Sequence, residues 1–127
     1  MNKLIGTGVA LVTPFKKDMS VDHDALRNIV NFNIENGTNY LVIMGTTGES
    51  VTVSKSEKKE IINTVSTTNN GRLPLVLGIG GNNTAEVINE IKSTDLTNMT
   101  AILSVASVHP KSIVVLVTAM ILILIFI

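Results

Sequence analysis

Four short apolar runs, rich in β-branched residues, divide this chain. They begin at residues 8, 40, 75 and 101 and occupy residues 8–13, 40–44, 75–78 and 101–105. Each run is almost continuously apolar, without the alternation of a half-exposed strand. This pattern favours strands that are buried on both faces of a parallel sheet.

Helical patterns with recognisable ends lie between the runs. The first opens at Asp22, a preferred N-cap residue, and stops at Gly37. The second opens with a capping-box sequence from Ser54 to Glu57, and the third opens at Asn83. Apolar residues recur at helical spacing within the patterns: Leu26, Ile29, Val30 and Ile34; Ile61, Ile62 and Val65; Val87, Ile88 and Ile91.

The resulting order, β-α-β-α-β-α-β, predicts an α/β fold with a parallel sheet. Two architectures fit: an open doubly wound sheet, or part of a (β/α)8 barrel. A complete barrel needs about 250 residues, so a chain of this length would hold roughly half of one. Right-handed βα succession predicts adjacent strands in the order 1-2-3-4. The loops after the strands, with Thr46, Thr47, Gly80 and Asn82, would then share one edge.

The segment from Gly45 to Ser50 directly follows the second run and carries the clearest signal for a binding site. Two glycines bracket Thr46 and Thr47. Glycine permits a close backbone approach and positive φ, while backbone N–H and hydroxyl groups donate hydrogen bonds. This combination suits a carboxylate or phosphate at the end of a strand. A tight turn without a ligand is the alternative that these residues leave open.

The segment from Gly78 to Asn83 superficially resembles a dinucleotide-binding fingerprint. It lacks the third glycine, follows the third run instead of the first, and has no suitably placed acid after a following strand. We therefore interpret it as a glycine-rich loop after a strand.

Composition excludes several classes of function. The chain has no cysteine, which removes disulfide scaffolds and cysteine metal sites. Ten basic and ten acidic residues cancel without forming a basic stripe, and only four residues are aromatic, so no nucleic-acid partner is expected. No cationic segment precedes an apolar one at the N-terminus, so we expect no secretory signal.

Three segments, one per βα unit, resemble the 4-hydroxy-tetrahydrodipicolinate synthase (dihydrodipicolinate synthase) family of pyruvate-dependent class I aldolases. They are GVALVTPF at residues 8–15, GTTGES at residues 45–50 and GIGGNNTAE at residues 78–86. The resemblance runs from about residue 5 to residue 105. The pair Thr46-Thr47 fits the synthases, whereas the sister N-acetylneuraminate lyases typically have Ser-Thr there.

The resemblance implies an incomplete (β/α)8 TIM barrel in residues 1–105, with the first three βα units and strand 4. Members of the family condense pyruvate with aspartate semialdehyde through a lysine Schiff base, in lysine and diaminopimelate biosynthesis. They are cytoplasmic lyases that form homo-oligomers, typically tetramers. They use no metal and no organic cofactor.

The resemblance also assigns roles to individual residues. Thr47 and the Thr46–Thr47 backbone would bind the pyruvate carboxylate. The Thr46 hydroxyl would be catalytic, in a proton relay with two tyrosines, since a hydroxyl chain moves protons without a fixed charge. Ala10, Thr13 and Gly80 would support the pocket. Strand packing and strand termination are the alternative roles for Ala10 and Thr13.

In family members that lysine inhibits, the allosteric site uses positions that correspond here to Ser50, Asn82 and Glu86. Positions that carry histidines in one branch are Lys55 and Lys58 here, and an aromatic position is Val108. Added cations disfavour a cationic ligand. We therefore expect no lysine binding to this chain.

The resemblance stops after residue 105. Where the family has a Ser-Pro-Tyr-Tyr-Asn-Lys-Pro type segment, residues 106–112 read ASVHPKS, with Val108 and His109 at the expected tyrosines. None of the eight lysines corresponds to the Schiff-base lysine; Lys111 comes closest but lies in the segment that does not match. We therefore expect a truncated or frameshifted chain that is inactive alone. A non-catalytic fragment, a membrane-associated remnant and a sister lyase are the alternatives.

Residues 106–127 are expected to form a divergent hydrophobic tail. From residue 113 onward Thr118 is the only polar side chain, and nine of the fifteen residues are Ile, Val or Thr, which favours a strand or aggregation. As a helix, this run would span roughly 22 Å, short of a hydrocarbon core of about 30 Å. Membrane contact through the tail is the alternative, and an apolar run of this kind fits a strand or a helix.

Overall fold

A computed structural model describes residues 2–107 and 120–126. Its strands and helices are β1 (Gly8–Ala10), α1 (His23–Glu35), β2 (Tyr40–Ile43), α2 (Lys55–Asn69), β3 (Leu75–Gly78), α3 (Thr84–Ser93), β4 (Ala101–Ser107) and β5 (Met120–Phe126). Short 3-10 helices occupy Asn2–Leu4 and Thr46–Gly48. The four apolar runs thus contain strands, and the three helical patterns are helices.

The sheet has the order β1-β2-β3-β4-β5. Strands β1 to β4 are parallel to their neighbours, which confirms the predicted order 1-2-3-4. β5 pairs with β4 in antiparallel orientation, from Ala101 opposite Phe126 to Ser107 opposite Met120. Half a barrel would leave the outer edge of its fourth strand unpaired; here the backbone of the tail covers it. Val108, His109, Lys111 and the rest of residues 108–119 lie outside the described residues.

The core fills the space between one face of the sheet and helices α1 and α2. Leu41 and Leu75 are register partners, as are Ile43 and Leu77, so these side chains share a face. Leu26 and Val30 of α1, with Ile61 and Val65 of α2, belong to the same buried cluster. Full burial of each such side chain contributes about 1.5–3 kcal/mol. α3 has no buried residue and covers the sheet more loosely.

The opposite face of the sheet carries Ala10, Val42 and Val76, which follow one another across the register. Val76 is buried, Val42 is half-buried and Ala10 is exposed. The expectation that all strands are buried on both faces is therefore wrong for β1. Among the described residues no strand pairs with the outer edge of β1. Ala10 therefore has neighbouring strand residues on one side only.

The helix starts follow the predicted caps. Asp22 accepts a hydrogen bond from the Ala25 N–H at 2.9 Å, and the Asn83 side chain accepts from the first turn of α3. Ser54 and Glu57 form the complete capping box of α2. The Ser54 hydroxyl and backbone N–H donate to the Glu57 carboxylate, which lowers its pKa.

Gly78 lies where β3 passes the end of β2, and this contact yields a stability prediction. A Cβ at position 78 would lie 2.5 Å from the Met44 carbonyl oxygen and 2.8 Å from the Gly45 nitrogen. Because both are backbone atoms, the end of β2 would have to move. We expect Gly78→Ala to lower the free energy of unfolding, measured by urea denaturation, by about 1–3 kcal/mol.

Gly45→Ala is the matched control for this substitution. The nearest atom to its added Cβ is Val42 Cγ1 at 3.9 Å, and φ at Gly45 is −72°. Its effect should be small. Equal losses of stability in the two variants would contradict the close packing at Gly78.

Candidate active site

Four of the predicted site residues follow the carboxyl ends of three neighbouring parallel strands. Thr13 follows β1, Thr46 and Thr47 follow β2, and Gly80 follows β3. Because these strands are parallel and adjacent, their carboxyl ends lie at one edge of the sheet. Enzymes with parallel α/β barrels place their active sites at this edge.

The segment after β2 forms a single tight turn. Gly45 has φ −72° and ψ −174°, and the 3-10 helix Thr46–Gly48 follows. The Gly48 N–H donates to the Gly45 carbonyl at 3.0 Å, and the Glu49 N–H donates to the Thr46 carbonyl at 3.1 Å. Met44 and Glu49, which flank the turn, have φ of 57° and 53°. Both residues thus adopt the left-handed region, which is uncommon for residues other than glycine.

This turn presents donors to solvent. The side chains of Thr46 and Thr47 are exposed. Their N–H groups stand at the first turn of a helix, where no intrahelical acceptor is available. Two exposed threonines, each with a hydroxyl and a backbone N–H, therefore follow the end of β2. An anionic group is the acceptor that such a set of neutral donors binds most strongly.

Thr13 supports the turn from the neighbouring strand. Its hydroxyl is buried and donates to the Gly48 carbonyl at 2.6 Å, joining residues 35 apart in the chain. Gly48 is buried as well, and a Cβ there would lie 3.2 Å from the Leu11 carbonyl oxygen. The glycine thus allows the turn to approach β1 closely.

Replacing Thr13 tests this support. Thr13→Val keeps the shape but leaves the buried Gly48 carbonyl without its donor, so we expect a loss of about 1–3 kcal/mol in the free energy of unfolding. Thr13→Ser retains the hydroxyl and should lose much less. Chemical denaturation of both variants measures the difference; equal losses would show that the methyl group matters and the hydrogen bond does not.

The structure does not join every predicted residue to the turn. Ala10 is exposed on the face opposite the helices, and Gly80 is exposed in the loop after β3. Within the described part of the chain neither makes a hydrogen bond to Thr46 or Thr47. They share the edge of the sheet with the turn without touching it through polar contacts.

The residues that resemble the allosteric site divide into two groups. Lys55, Lys58 and Glu86 line one open groove of about 960 Å³ between α2 and α3. Ser50 and Asn82 do not line it. Val108 lies outside the described residues.

A further residue, Glu90, was missed by the sequence analysis. Its carboxylate lies 3.5 Å from Lys58 Nζ and bridges α2 and α3 across the groove. The sequence pattern that could have indicated Glu90 is its position four residues after Glu86, which places both residues on the same face of α3.

Two structural features are absent from residues 2–107 and 120–126. No group of three or more His, Asp or Glu side chains is placed there to hold a metal ion. None of the described helices has both the length and the apolar character to cross a membrane.

Comparison with known proteins identifies the family. The sequence profile of the dihydrodipicolinate synthetase family matches residues 3–111. The 4-hydroxy-tetrahydrodipicolinate synthase of Flavobacterium psychrophilum is 58% identical over 111 residues, which are 87% of this chain and 38% of that protein. The chain thus spans well under half the length of this relative.

Solved structures agree with the sequence match. The crystal structure of dihydrodipicolinate synthase from Aquifex aeolicus superposes with a TM-score of 0.74 at 34% identity, covering 84% of this chain and 36% of that one. The crystal structure of N-acetylneuraminate lyase from Mycoplasma synoviae superposes with a TM-score of 0.75 at 31% identity, covering 88% of this chain and 39% of that one. The chain belongs to the dihydrodipicolinate synthetase family.

Proposed function

We propose that this chain supplies the pyruvate-binding part of a 4-hydroxy-tetrahydrodipicolinate synthase. The reaction is the condensation of pyruvate with aspartate semialdehyde through a lysine Schiff base, by a cytoplasmic lyase of lysine and diaminopimelate biosynthesis. One observation carries the proposal: the Gly45–Ser50 motif forms a turn at the carboxyl end of β2 in which both threonines are exposed. The proposal includes a homo-oligomer for the complete enzyme, because the resemblance implies one.

The turn has two tasks in this reaction. Thr47, with its hydroxyl and N–H, holds the pyruvate carboxylate by charge-assisted hydrogen bonds. The Thr46 hydroxyl accepts and donates a proton while the substrate carbonyl condenses with the lysine amine and water leaves. Thr13 fixes the turn through the Gly48 carbonyl. The reactive lysine and the relay tyrosines are proposed to come from other parts of a complete barrel.

A chimera tests the proposal in a complete enzyme. Residues 3–105 of this chain replace the matching segment of the Flavobacterium psychrophilum synthase, so the recipient keeps its own residues at the positions of Val108 and His109, where the family has tyrosines. Condensation of pyruvate with aspartate semialdehyde is then measured. Activity is expected, with a large loss of kcat in Thr46→Val. Thr67→Val, at an exposed position of α2, is the matched control and should retain activity. A folded chimera that cleaves N-acetylneuraminate and makes no condensation product would assign the chain to the sister lyases.

The groove between α2 and α3 leads to a prediction about regulation. Lys55 and Lys58 place two cations beside Glu86, and Glu90 is already paired with Lys58. A lysine molecule would meet repulsion from both ammonium groups. We expect no saturable heat of lysine binding in a calorimetric titration of the chimera.

A double variant in which both lysines become histidine provides the control for this titration. Lys55→His and Lys58→His in the chimera remove most of the fixed positive charge at neutral pH. Lysine binding that appears only in this double variant would support the charge argument. Stereospecific binding to the unmodified chimera at millimolar lysine would contradict it.

A further inference from the structure

Two Asn-Gly pairs follow helices in this chain, Asn36-Gly37 after α1 and Asn70-Gly71 after α2. In such a pair the glycine nitrogen can attack the asparagine side-chain carbonyl carbon, since glycine has no Cβ to hinder the approach. A succinimide forms and ammonia leaves; water then opens the ring to aspartate or isoaspartate. We propose that Asn70 is a site of spontaneous deamidation and that Asn36 is protected from it.

The groups that react at Asn70 are free. Asn70 is exposed and lies in the left-handed region, with φ 46° and ψ 43°. Among the described residues its side chain makes no hydrogen bond, and the Gly71 N–H donates to no acceptor. Gly71 is also exposed, and no atom lies within 4 Å of where its Cβ would stand; the same holds for Gly37, so hydrogen bonding, and not exposure, distinguishes the two sites. The amide proton of Gly71 is therefore open to removal by solvent base.

The same groups at Asn36 are engaged. The Asn36 side-chain nitrogen donates to the Phe32 carbonyl at 2.7 Å, which turns the amide back onto α1. The Gly37 N–H donates to the Ile34 carbonyl at 3.4 Å. Attack therefore requires both hydrogen bonds to break. The backbone N–H groups of both asparagines bond to the carbonyl four residues earlier, so this bond does not distinguish the two sites.

Deamidation would alter the turn that leads into β3. A carboxylate at position 70 stands at the C-terminal end of α2, where the helix dipole disfavours negative charge. Isoaspartate also lengthens the backbone beside Asn69, whose side chain holds Leu73 by two hydrogen bonds. We expect the modified chain to unfold at a lower urea concentration.

Mass spectrometry of the full chain tests the proposal. The protein, solubilised in mild detergent, is incubated at mildly alkaline pH and digested with trypsin, which separates residues 60–72 from residues 28–55. Deamidation at Asn70 is expected to accumulate first, with isoaspartate detectable by enzymatic methylation. In urea both Asn-Gly pairs should react at similar rates, because the protecting bonds are gone.

Two variants sharpen the result. Asn70→Gln should abolish the early mass gain, and Asn36→Gln should leave it unchanged. The proposal is overturned if the folded chain deamidates at the two sites at equal rates, or faster at Asn36. It is also overturned if Asn70 reacts in urea but stays intact in the folded chain.

Discussion

The 127-residue chain alone is expected to form no borohydride-reducible adduct with pyruvate and no condensation product. The reaction requires a covalent lysine adduct, and such a lysine must be desolvated so that its amine is neutral. The lysines of the described residues are exposed, apart from Lys58, which is half-buried and paired with Glu90. Removal of a covalent catalyst abolishes turnover by this route, so the loss should be complete rather than graded.

Intact-mass analysis after incubation with pyruvate and borohydride measures this loss directly. The active chimera, treated in the same way, is the positive control. A stoichiometric pyruvate adduct on the isolated chain would contradict the prediction, and peptide mapping would then identify the lysine that forms it.

The second large effect concerns association. The outer edge of β1 has no partner among the described strands, and Ala10 and Val42 leave part of one sheet face open. Unpaired strand edges are templates for association. Residues 113–127 add a run without a single charge. We expect the purified chain to aggregate or require detergent, as sedimentation or size-exclusion chromatography would show.

Deleting residues 113–127 should improve solubility without restoring activity. The deletion also removes β5 and exposes the edge of β4, which opposes the gain. A second variant separates these effects: Val114→Lys with Val117→Lys introduces charge and keeps the sequence of β5. Both variants should be more soluble than the parent. A monodisperse, detergent-free parent chain would contradict the prediction.

Local chemistry explains what the sequence could predict. Asp22, Ser54 and Asn83 cap their helices through bonds to residues two or three positions away, so the pattern contains both partners. The position of Thr46 and Thr47 at the sheet edge could also be predicted from a local pattern. It needed only the strand that precedes them and the rule that parallel strands end together.

Contacts between distant residues explain what the sequence could not predict. The bond from Thr13 to Gly48 joins two loops, and the pair Lys58–Glu90 joins two helices; neither leaves a local pattern. The pairing of β5 with β4 belongs to the same class, because an apolar run does not specify its partner or even its secondary structure. The burial predicted for β1 was wrong for a similar reason. The residues of a strand do not show whether a second strand pairs with its outer edge.

The Michaelis constant for pyruvate in the chimera tests the central claim most directly. If Thr47 holds the pyruvate carboxylate, Thr47→Val removes a hydrogen bond to a charged group, worth about 1.5–3 kcal/mol. The KM for pyruvate should then rise roughly tenfold to hundredfold, with little change for aspartate semialdehyde. Thr67→Val should leave both constants unchanged. An unaltered KM for pyruvate in a folded Thr47→Val chimera would show that the turn after β2 does not bind the carboxylate.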